Sequence, residues 1–268
     1  MVKPETIASA ANPLIKDVRR AIARGGLTSQ GWCVAETVHL LEEALRSRCV
    51  VKQVLVAESD YDQLPRLGGI RVAVLPDELM QKVSSVEASQ GVIALVEPPE
   101  WKLEQLFEGR AFEGRALVVV LDALQDPGNA GAIVRAAEAF GATGAIFLKG
   151  TASPFNPKTL RASAGSLFRV PFLYGLDLEI ARAAFEERGV NLYAAVPSRP
   201  GAPVRAVADA DLTAACALIV GNEGRGVSRE WLGVAEGVSI PTMAVESLNA
   251  AMAAGILLYE ARRQRSRV

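Results

Sequence analysis

The run Ala116–Leu121, with sequence ALVVVL, is apolar at every position, and it constrains the fold more than any other segment. A strand with one solvated face alternates polar and apolar residues. A short run that never alternates needs cover on both faces, as in a parallel sheet flanked by helices. Breakers follow at Asp126, Pro127, Gly128, Asn129 and Gly131, and then an Ala-rich stretch predicts a helix over Ala132–Phe140. Gly141 ends it, and Gly144–Leu148 reads as a second apolar strand, completing a βαβ unit. Open parallel sheets bind ligands at the carboxyl ends of their strands. Asn129, in the turn, and Arg135, early in the helix, therefore present an amide and a permanent cation at an expected crevice.

The layout recurs. Cys216–Val220 is a short apolar run ending in Gly221-Asn222-Glu223-Gly224-Arg225-Gly226, after which Ser228 has the chemistry of a helix cap. Val238–Ile240 stops at Pro241 and is followed by Glu246-Ser247-Leu248-Asn249 and an apolar helix over Ala250–Arg263. Each block has a plain structural reading. Glycines make tight turns, Ser247 and Asn249 are N-capping residue types, and a helical arginine such as Arg135 is most often a surface residue. Asn222 and Glu223 inside a glycine turn favour a ligand loop over a simple connector. Gly221, Gly224 and Gly226 run G-x-x-G-x-G, the wrong order for a dinucleotide fingerprint, and no P-loop pattern is present.

Taken together, the blocks resemble the SpoU-type (TrmH-like) RNA ribose 2′-O-methyltransferases of the SPOUT class, over roughly Leu117–Gln264. An N-x-G-x-x-x-R block, a G-N-E-G block and an I-P…S-L-N block occur in that order in this family. The chain departs from the pattern at Thr242, where Met is usual, and at Ala250 and Ala251, where small β-branched residues are usual. The resemblance implies transfer of a methyl group from S-adenosylmethionine to a ribose 2′-OH in structured RNA. It makes Asn129, Arg135, Glu223, Ser247 and Asn249 the catalytic candidates, and Gly221, Asn222, Ile240 and Leu248 the cofactor-binding ones. In the family the arginine assists removal of the 2′-OH proton. A guanidinium is always charged, so phosphate binding or stabilisation of a developing alkoxide suits Arg135 better. Asn129 would orient Arg135 or the ribose, and Glu223 would fix the direction of Arg135. The resemblance also implies a C-terminal trefoil knot and a homodimer formed through it.

The first part of the chain reads as a small α/β domain. A helix ends near Gly25, and Trp32–Ala35, Val50–Ala57, Ile70–Leu75 and Gly91–Val96 are strand candidates around an amphipathic helix over Thr37–Arg46. Asn12-Pro13-Leu14-Ile15-Lys16 and Glu36 with Leu40-Leu41-Glu42-Glu43-Ala44-Leu45 resemble the ribosomal-protein-like substrate-binding domain found in many SpoU-type enzymes. Thr37 stands where that domain has Gly. The expected fold class is thus α/β: a SPOUT parallel-sheet domain with a C-terminal trefoil knot, preceded by that small domain. The expected boundaries are 1–97 for RNA substrate binding, a Pro- and Gly-containing linker over 98–114, and 115–268 for the methyltransferase. A second helix and strand are expected at Leu178–Arg188 and Asn191–Val196.

Composition narrows the partners. At 268 residues the chain has room for two modest domains. Its net charge of −1 excludes a generally basic nucleic-acid binder. Basic residues do cluster, at Lys16, Arg19, Arg20 and Arg24, at Lys149, Lys158, Arg161 and Arg169, and at Arg262, Arg263, Arg265 and Arg267. These are RNA-contact patches or solvated faces balanced by acids elsewhere. Cys33, Cys49 and Cys216 are widely spaced, and with no signal peptide expected they read as reduced thiols in the cytoplasm. Ala250–Tyr259 is too short to span a bilayer, which takes ~20 residues, so no membrane is expected. The single histidine, His39, argues against a metal site or a Ser-His-Asp triad. RNA is the expected partner and DNA is not. Ribosomal RNA is favoured by the extra N-terminal domain, with transfer RNA the other substrate. The competing reading is a catalytically inactive RNA-binding or ribosome-assembly factor on the same fold.

Overall fold

The computed structural model describes residues 4–85, 91–108, 114–197 and 204–266. The chain divides into two compact units, one made of residues 1–100 with 153–168, the other of 101–152 with 169–268.

In the first unit, β1 (Glu5–Thr6), α1 (Pro13–Arg24), β2 (Cys33–Glu36), α2 (Val38–Arg46), β3 (Val51–Ala57), β4 (Arg71–Leu75), α3 (Asp77–Val83) and β5 (Val92–Val96) follow in sequence. The sheet order is β1-β4-β3-β5-β2, with β1, β4 and β3 parallel and β5 antiparallel to both β3 and β2. Asn12 starts α1 by accepting the Leu14 N–H, Pro13 sits in the first turn, and Gly25 ends the helix in the left-handed region at φ 61°. The core joins Ile15 and Val18 of α1, Leu79 and Met80 of α3, and Leu55, Leu75, Ile93 and Leu95 of the sheet.

Thr37 has φ 115° and ψ 149°, backbone that is essentially restricted to glycine. Glycine, which the resemblance expects at the position, adopts such backbone without strain. The Thr37 hydroxyl compensates in part by accepting the Leu40 N–H at 3.2 Å. Strain of this kind costs about 1–3 kcal/mol, whereas glycine caps almost as well and costs about 0.5–1 kcal/mol in chain entropy. Thr37→Gly is therefore expected to raise stability by about 1 kcal/mol, read as a higher urea midpoint. A lower midpoint would show that the cap outweighs the strain.

The second unit contains β6 (Leu117–Asp122), α4 (Pro127–Phe140) and β7 (Gly144–Leu148). After the α5 segment (Pro157–Ser163), which groups with the first unit, it continues with β8 (Phe172–Leu176), α6 (Leu178–Glu187), β9 (Asn191–Ala195), β10 (Arg205–Ala206), β11 (Cys216–Gly221), α7 (Arg229–Leu232), β12 (Glu236–Ser239) and α8 (Ala250–Arg265). The sheet order is β10-β12-β9-β11-β6-β7-β8 and every pairing is parallel. Val118 and Val120 of β6 and Ala217 and Ile219 of β11 face a core with Phe185 and Trp231. On the other side α4 packs against α8, and Phe140 meets Tyr259 edge to face at 5.7 Å.

The structure corrects several expectations. Helix α4 begins at Pro127, not Ala132, because Asp126 caps it through the Asn129 N–H at 2.8 Å and proline is suited to a first turn. Asn129 is thus helical rather than part of the turn. The expected 98–114 linker is partly structured. Leu106 is buried against Gly144, where a Cβ would come within 2.6 Å of the Leu106 Cγ, and the Thr143 hydroxyl donates to the Leu106 carbonyl at 2.5 Å. Residues 109–113 lie outside the described residues.

Residues 153–168, expected within the 115–268 domain, group with the first unit. Arg161 of α5 pairs with Glu36 of β2, which is 2% exposed and also accepts from the Ser84 and Ser85 hydroxyls and the Ser85 N–H. A carboxylate that deep requires such partners.

The basic clusters resolve differently from one another. Lys149 pairs with Asp177, Arg161 with Glu36 and Arg169 with Glu138, so most of the Lys149–Arg169 cluster is balanced by acids from elsewhere. Arg263 pairs with Glu260, and Arg265 is buried at 4% exposure, so neither is a free tail cation. Arg267 lies outside the described residues. Lys16, Arg19, Arg20 and Arg24 are exposed on α1, and among the described residues none of their side chains has a hydrogen-bond or ion-pair partner. Burial pushes the Cys33 thiol up to about 12 and the Cys216 thiol up to about 11, so both stay protonated and neither is a nucleophile.

Candidate active site

At the carboxyl end of the parallel sheet, the loop after β6 and the loop after β11 are joined at several points. Gly221 pairs in register with Asp122. The Asn222 Nδ2 donates to the Ala123 carbonyl at 2.9 Å, and its Oδ1 accepts the Gly224 and Arg225 N–H groups, each at 3.0 Å. Asn222 and Gly226 exchange both backbone hydrogen bonds, at 3.0 and 2.9 Å, closing the loop on itself. Gly221 is required there. A Cβ at that position would lie 2.2 Å from the Gly226 carbonyl carbon and from the Val227 nitrogen.

Glu223 projects from this loop to the start of α4. One carboxylate oxygen accepts the Asn129 Nδ2 at 3.1 Å and the Asp126 N–H at 3.3 Å, and the other accepts the Gln125 N–H at 3.3 Å. Burial acts to raise the carboxyl, but the hydrogen bonds from the Asn129 side chain and from the backbone of Glu223, Gln125 and Asp126 outweigh it. The net effect holds Glu223 below the ordinary carboxylate range. It is thus ionised at neutral pH, and its stabilising contribution is lost only as pH falls through that lowered value.

Asn129 carries the connection onward. Its Oδ1 accepts the Asn249 Nδ2 at 3.0 Å. The Asn249 Oδ1 in turn caps α8 through the Ala251 and Met252 N–H groups at 2.9 and 3.2 Å. One side-chain chain, Glu223–Asn129–Asn249, therefore links the three sequence blocks. Both amides have donor and acceptor engaged, which fixes their orientation.

Other candidates stand apart. Arg135 is exposed and, among the described residues, has no side-chain partner. It lies six residues after Asn129 on α4, about 9 Å along the axis and on a different face. The expected Glu223–Arg135 contact is absent among the described residues, because Asn129 and the α4 backbone occupy the carboxylate. Ser247 is exposed and does not cap α8, since Asn249 does. Ile240 and Leu248 are half-buried, flanking an exposed segment in which the Thr242 hydroxyl donates to the Val245 carbonyl at 2.7 Å. That turn gives Thr242 a role that a methionine could not fill. The Asn222 side chain, expected at the cofactor, is instead engaged in shaping its own loop.

Sequence reasoning missed Asp122, Ala123, Gln125 and Asp126. Asp126-Pro127 is an N-cap followed by a first-turn proline and was readable as a helix start. Asp122, a lone carboxylate closing an apolar strand, was the other available signal. No group of metal-ligating side chains exists among the described residues.

A family model described as SpoU rRNA Methylase family matches residues 116–259, and one described as MRM3-like substrate binding domain matches residues 12–94. The 23S rRNA (guanosine(2553)-2'-O)-methyltransferase RlmP of Bacillus subtilis (strain 168) is 33% identical over 258 residues, covering 96% of this chain and 98% of its own. The 23S rRNA (uridine(2479)-2'-O)-methyltransferase of Streptomyces viridochromogenes is 37% identical over 204 residues, covering 73% of this chain and 68% of its own. Among solved structures, the AdoMet-bound rRNA methyltransferase from Sinorhizobium meliloti has a TM-score of 0.82 at 27% identity, covering 97% of each chain. With a parallel-sheet unit whose three sequence blocks meet at one end, and with that match across more than half its length, this chain belongs to the SpoU rRNA methylase family.

Proposed function

We propose that this chain methylates a ribose 2′-OH of ribosomal RNA, using S-adenosylmethionine. The observation that carries the reading is the Glu223–Asn129–Asn249 chain at the carboxyl ends of the sheet, in a member of this family. The local chemistry fits the cofactor. Gly221, Ile240 and Leu248 are the backbone positions this reading assigns to the adenine edge, with the Ile240 and Leu248 side chains half-buried. A Cβ on Gly226 would meet nothing within 4 Å, so the loop is open there. When bound, S-adenosylmethionine supplies the electrophilic methyl group.

The residues divide the remaining work. Asn222 shapes the cofactor loop, and Asn129 and Asn249 hold the loop, α4 and α8 in one arrangement. Glu223, held low and engaged by three donors, is a structural acceptor and not a base near neutrality. Arg135 supplies positive charge to a phosphate or to the developing alkoxide. Since it stands away from Asn129 in one protomer, it acts on RNA held across the surface or in the site of a second copy. Ser247, exposed beside Asn249, contacts the cofactor or the ribose.

A homodimer is part of this reading. It is supported by Met252, Ile256 and Tyr259, which form an exposed apolar stripe along α8. So is the C-terminal trefoil knot, supported by α8 packing on α4 and β11 after β12 has paired with β9, on the far side of β11 from β6. The cations of α1, which have no side-chain partner among the described residues, support an RNA-facing first unit. A ribose 2′-OH is present in RNA and absent from DNA, which favours RNA. No helix among the described residues is long and apolar enough to cross a membrane, and ribosomal RNA as substrate favours the cytoplasm.

Isothermal titration is expected to show S-adenosylmethionine or its demethylated product binding, with no response to NAD or ATP. Mapping of 2′-O-methyl positions with and without the gene is expected to lose one ribosomal RNA site. NAD binding without S-adenosylmethionine binding would overturn the methyltransferase reading, and a lost transfer RNA site would overturn the ribosomal substrate. Cofactor binding with no lost site in any RNA would favour an assembly role.

A further inference from the structure

We propose that Asp122 is a positioning residue for S-adenosylmethionine, fixing the exit of the Gly221–Gly226 loop and thereby the shape that the loop offers the cofactor. This rests on the reading above that the loop binds S-adenosylmethionine. Asp122 is the last residue of β6 and is only 6% exposed, yet among the described residues it makes a single side-chain hydrogen bond, from the Ser228 N–H to Oδ2 at 2.8 Å. A carboxylate at that depth with one partner is a poor way to gain stability, since burial disfavours the charge. Its placement explains it better.

The loop is pinched at its base, where Gly221 is pressed against Gly226 and Val227. The entry side is held through Asn222 to the Ala123 carbonyl, and the exit side through Ser228 to Asp122. Ala123 makes both possible. At φ 54° it occupies the left-handed region, which turns its carbonyl to the entry strand while the side chain before it serves the exit strand. The Ser228 hydroxyl is buried and has no partner among the described residues, so Ser228 is held by its N–H and not by its side chain. Beyond it, Trp231 is anchored in the core, so the loop exit is fixed on one flank by that indole and on the other by Asp122.

The test uses the full chain with three variants. Asp122→Ala removes the acceptor, Asp122→Asn keeps a carbonyl acceptor, and Ser228→Pro, made in the Asp122→Ala background where its ring carbon meets no carboxylate, removes the donor at a residue whose φ of −61° suits proline. Asp122→Ala is expected to raise the Kd for the demethylated cofactor and the KM for S-adenosylmethionine about tenfold, equivalent to about 1.4 kcal/mol. The kcat at saturating cofactor and the KM for RNA should stay within about twofold, the pattern of lost uniform binding. Asp122→Asn should recover most of the affinity. Ser228→Pro added to Asp122→Ala should weaken cofactor binding no further, because the donor has already lost its acceptor.

Equal cofactor affinity in wild type and Asp122→Ala overturns the inference alone. A fall in kcat with unchanged KM also overturns it, as does a further loss of cofactor affinity when Ser228→Pro is added to Asp122→Ala. Should Asp122→Ala fail to fold, Asp122→Leu, close in shape and without an acceptor, decides the matter by the same Kd comparison. A wild type that binds no S-adenosylmethionine overturns the cofactor reading and this inference with it.

Discussion

Arg265→Met is expected to destabilise the protein by about 3 kcal/mol or more, a large share of the ~5–15 kcal/mol that holds a domain together. The guanidinium at the end of α8 donates from Nε to the Leu212 carbonyl at 2.8 Å, from Nη1 to the Arg115 carbonyl at 2.9 Å, and from Nη2 to the Ala116 and Ala214 carbonyls at 2.9 and 2.6 Å. It thus joins the chain just before β6 to the chain just before β11. Ala116 keeps a second partner in the Cys216 N–H, but Leu212, Arg115 and Ala214 lose this donor. A buried carbonyl without a partner costs about 1–3 kcal/mol. Methionine fills much of the volume, so the loss reports the hydrogen bonds rather than a cavity. Arg265→Lys should fall in between, because a compact ammonium cannot reproduce the planar fork. Urea denaturation measures all three proteins, and a methionine variant as stable as wild type would show that these bonds contribute nothing net.

Arg135→Ala is expected to lower methyl transfer at least ~100-fold while leaving cofactor affinity and stability near wild type. The side chain is exposed and unpartnered among the described residues, so its removal disturbs no packing, and surface substitutions of that kind usually change stability by less than ~0.5 kcal/mol. Any large loss is therefore chemical. Labelled S-adenosylmethionine and ribosomal RNA give the rate, and isothermal titration gives the affinity. Turnover near wild type would return Arg135 to an ordinary surface residue. If it serves a second copy's site, mixing Arg135→Ala with a Glu223→Ala protein should restore part of the activity.

Much of the site was readable because the chemistry-bearing residues sit in short blocks at strand ends. An all-apolar run such as Ala116–Leu121 announces a parallel strand, and position in a parallel sheet says where ligands bind. Partner identity was not readable. Glu223 has the charge to pair with Arg135, but a helix start places the Asn129 amide and two backbone N–H groups nearer. That outcome depends on where α4 begins, and so on the Asp126 cap. Charge clusters mislead for a related reason. Lys149, Arg161 and Arg169 look alike in sequence, yet each pairs with an acid 28 to 125 residues away. Helix α1, whose cations have no such partners among the described residues, keeps the character its sequence suggests. The short strands β1 and β10, with two residues each, carry too little pattern to be found.

The grouping of residues 153–168 with the first unit sets an order of events on the ribosome. A chain emerging from its amino terminus presents the residues up to Glu100 well before Phe168 exists. During that interval Glu36 lacks the guanidinium it pairs with in the folded unit, since Arg161 is still to be added. At ~5–20 residues per second the wait is of the order of 3 to 14 s. The amino-terminal unit is therefore completed only after β6, α4 and β7 have been made. Strands β9, β11 and β12 of the parallel sheet are made later still.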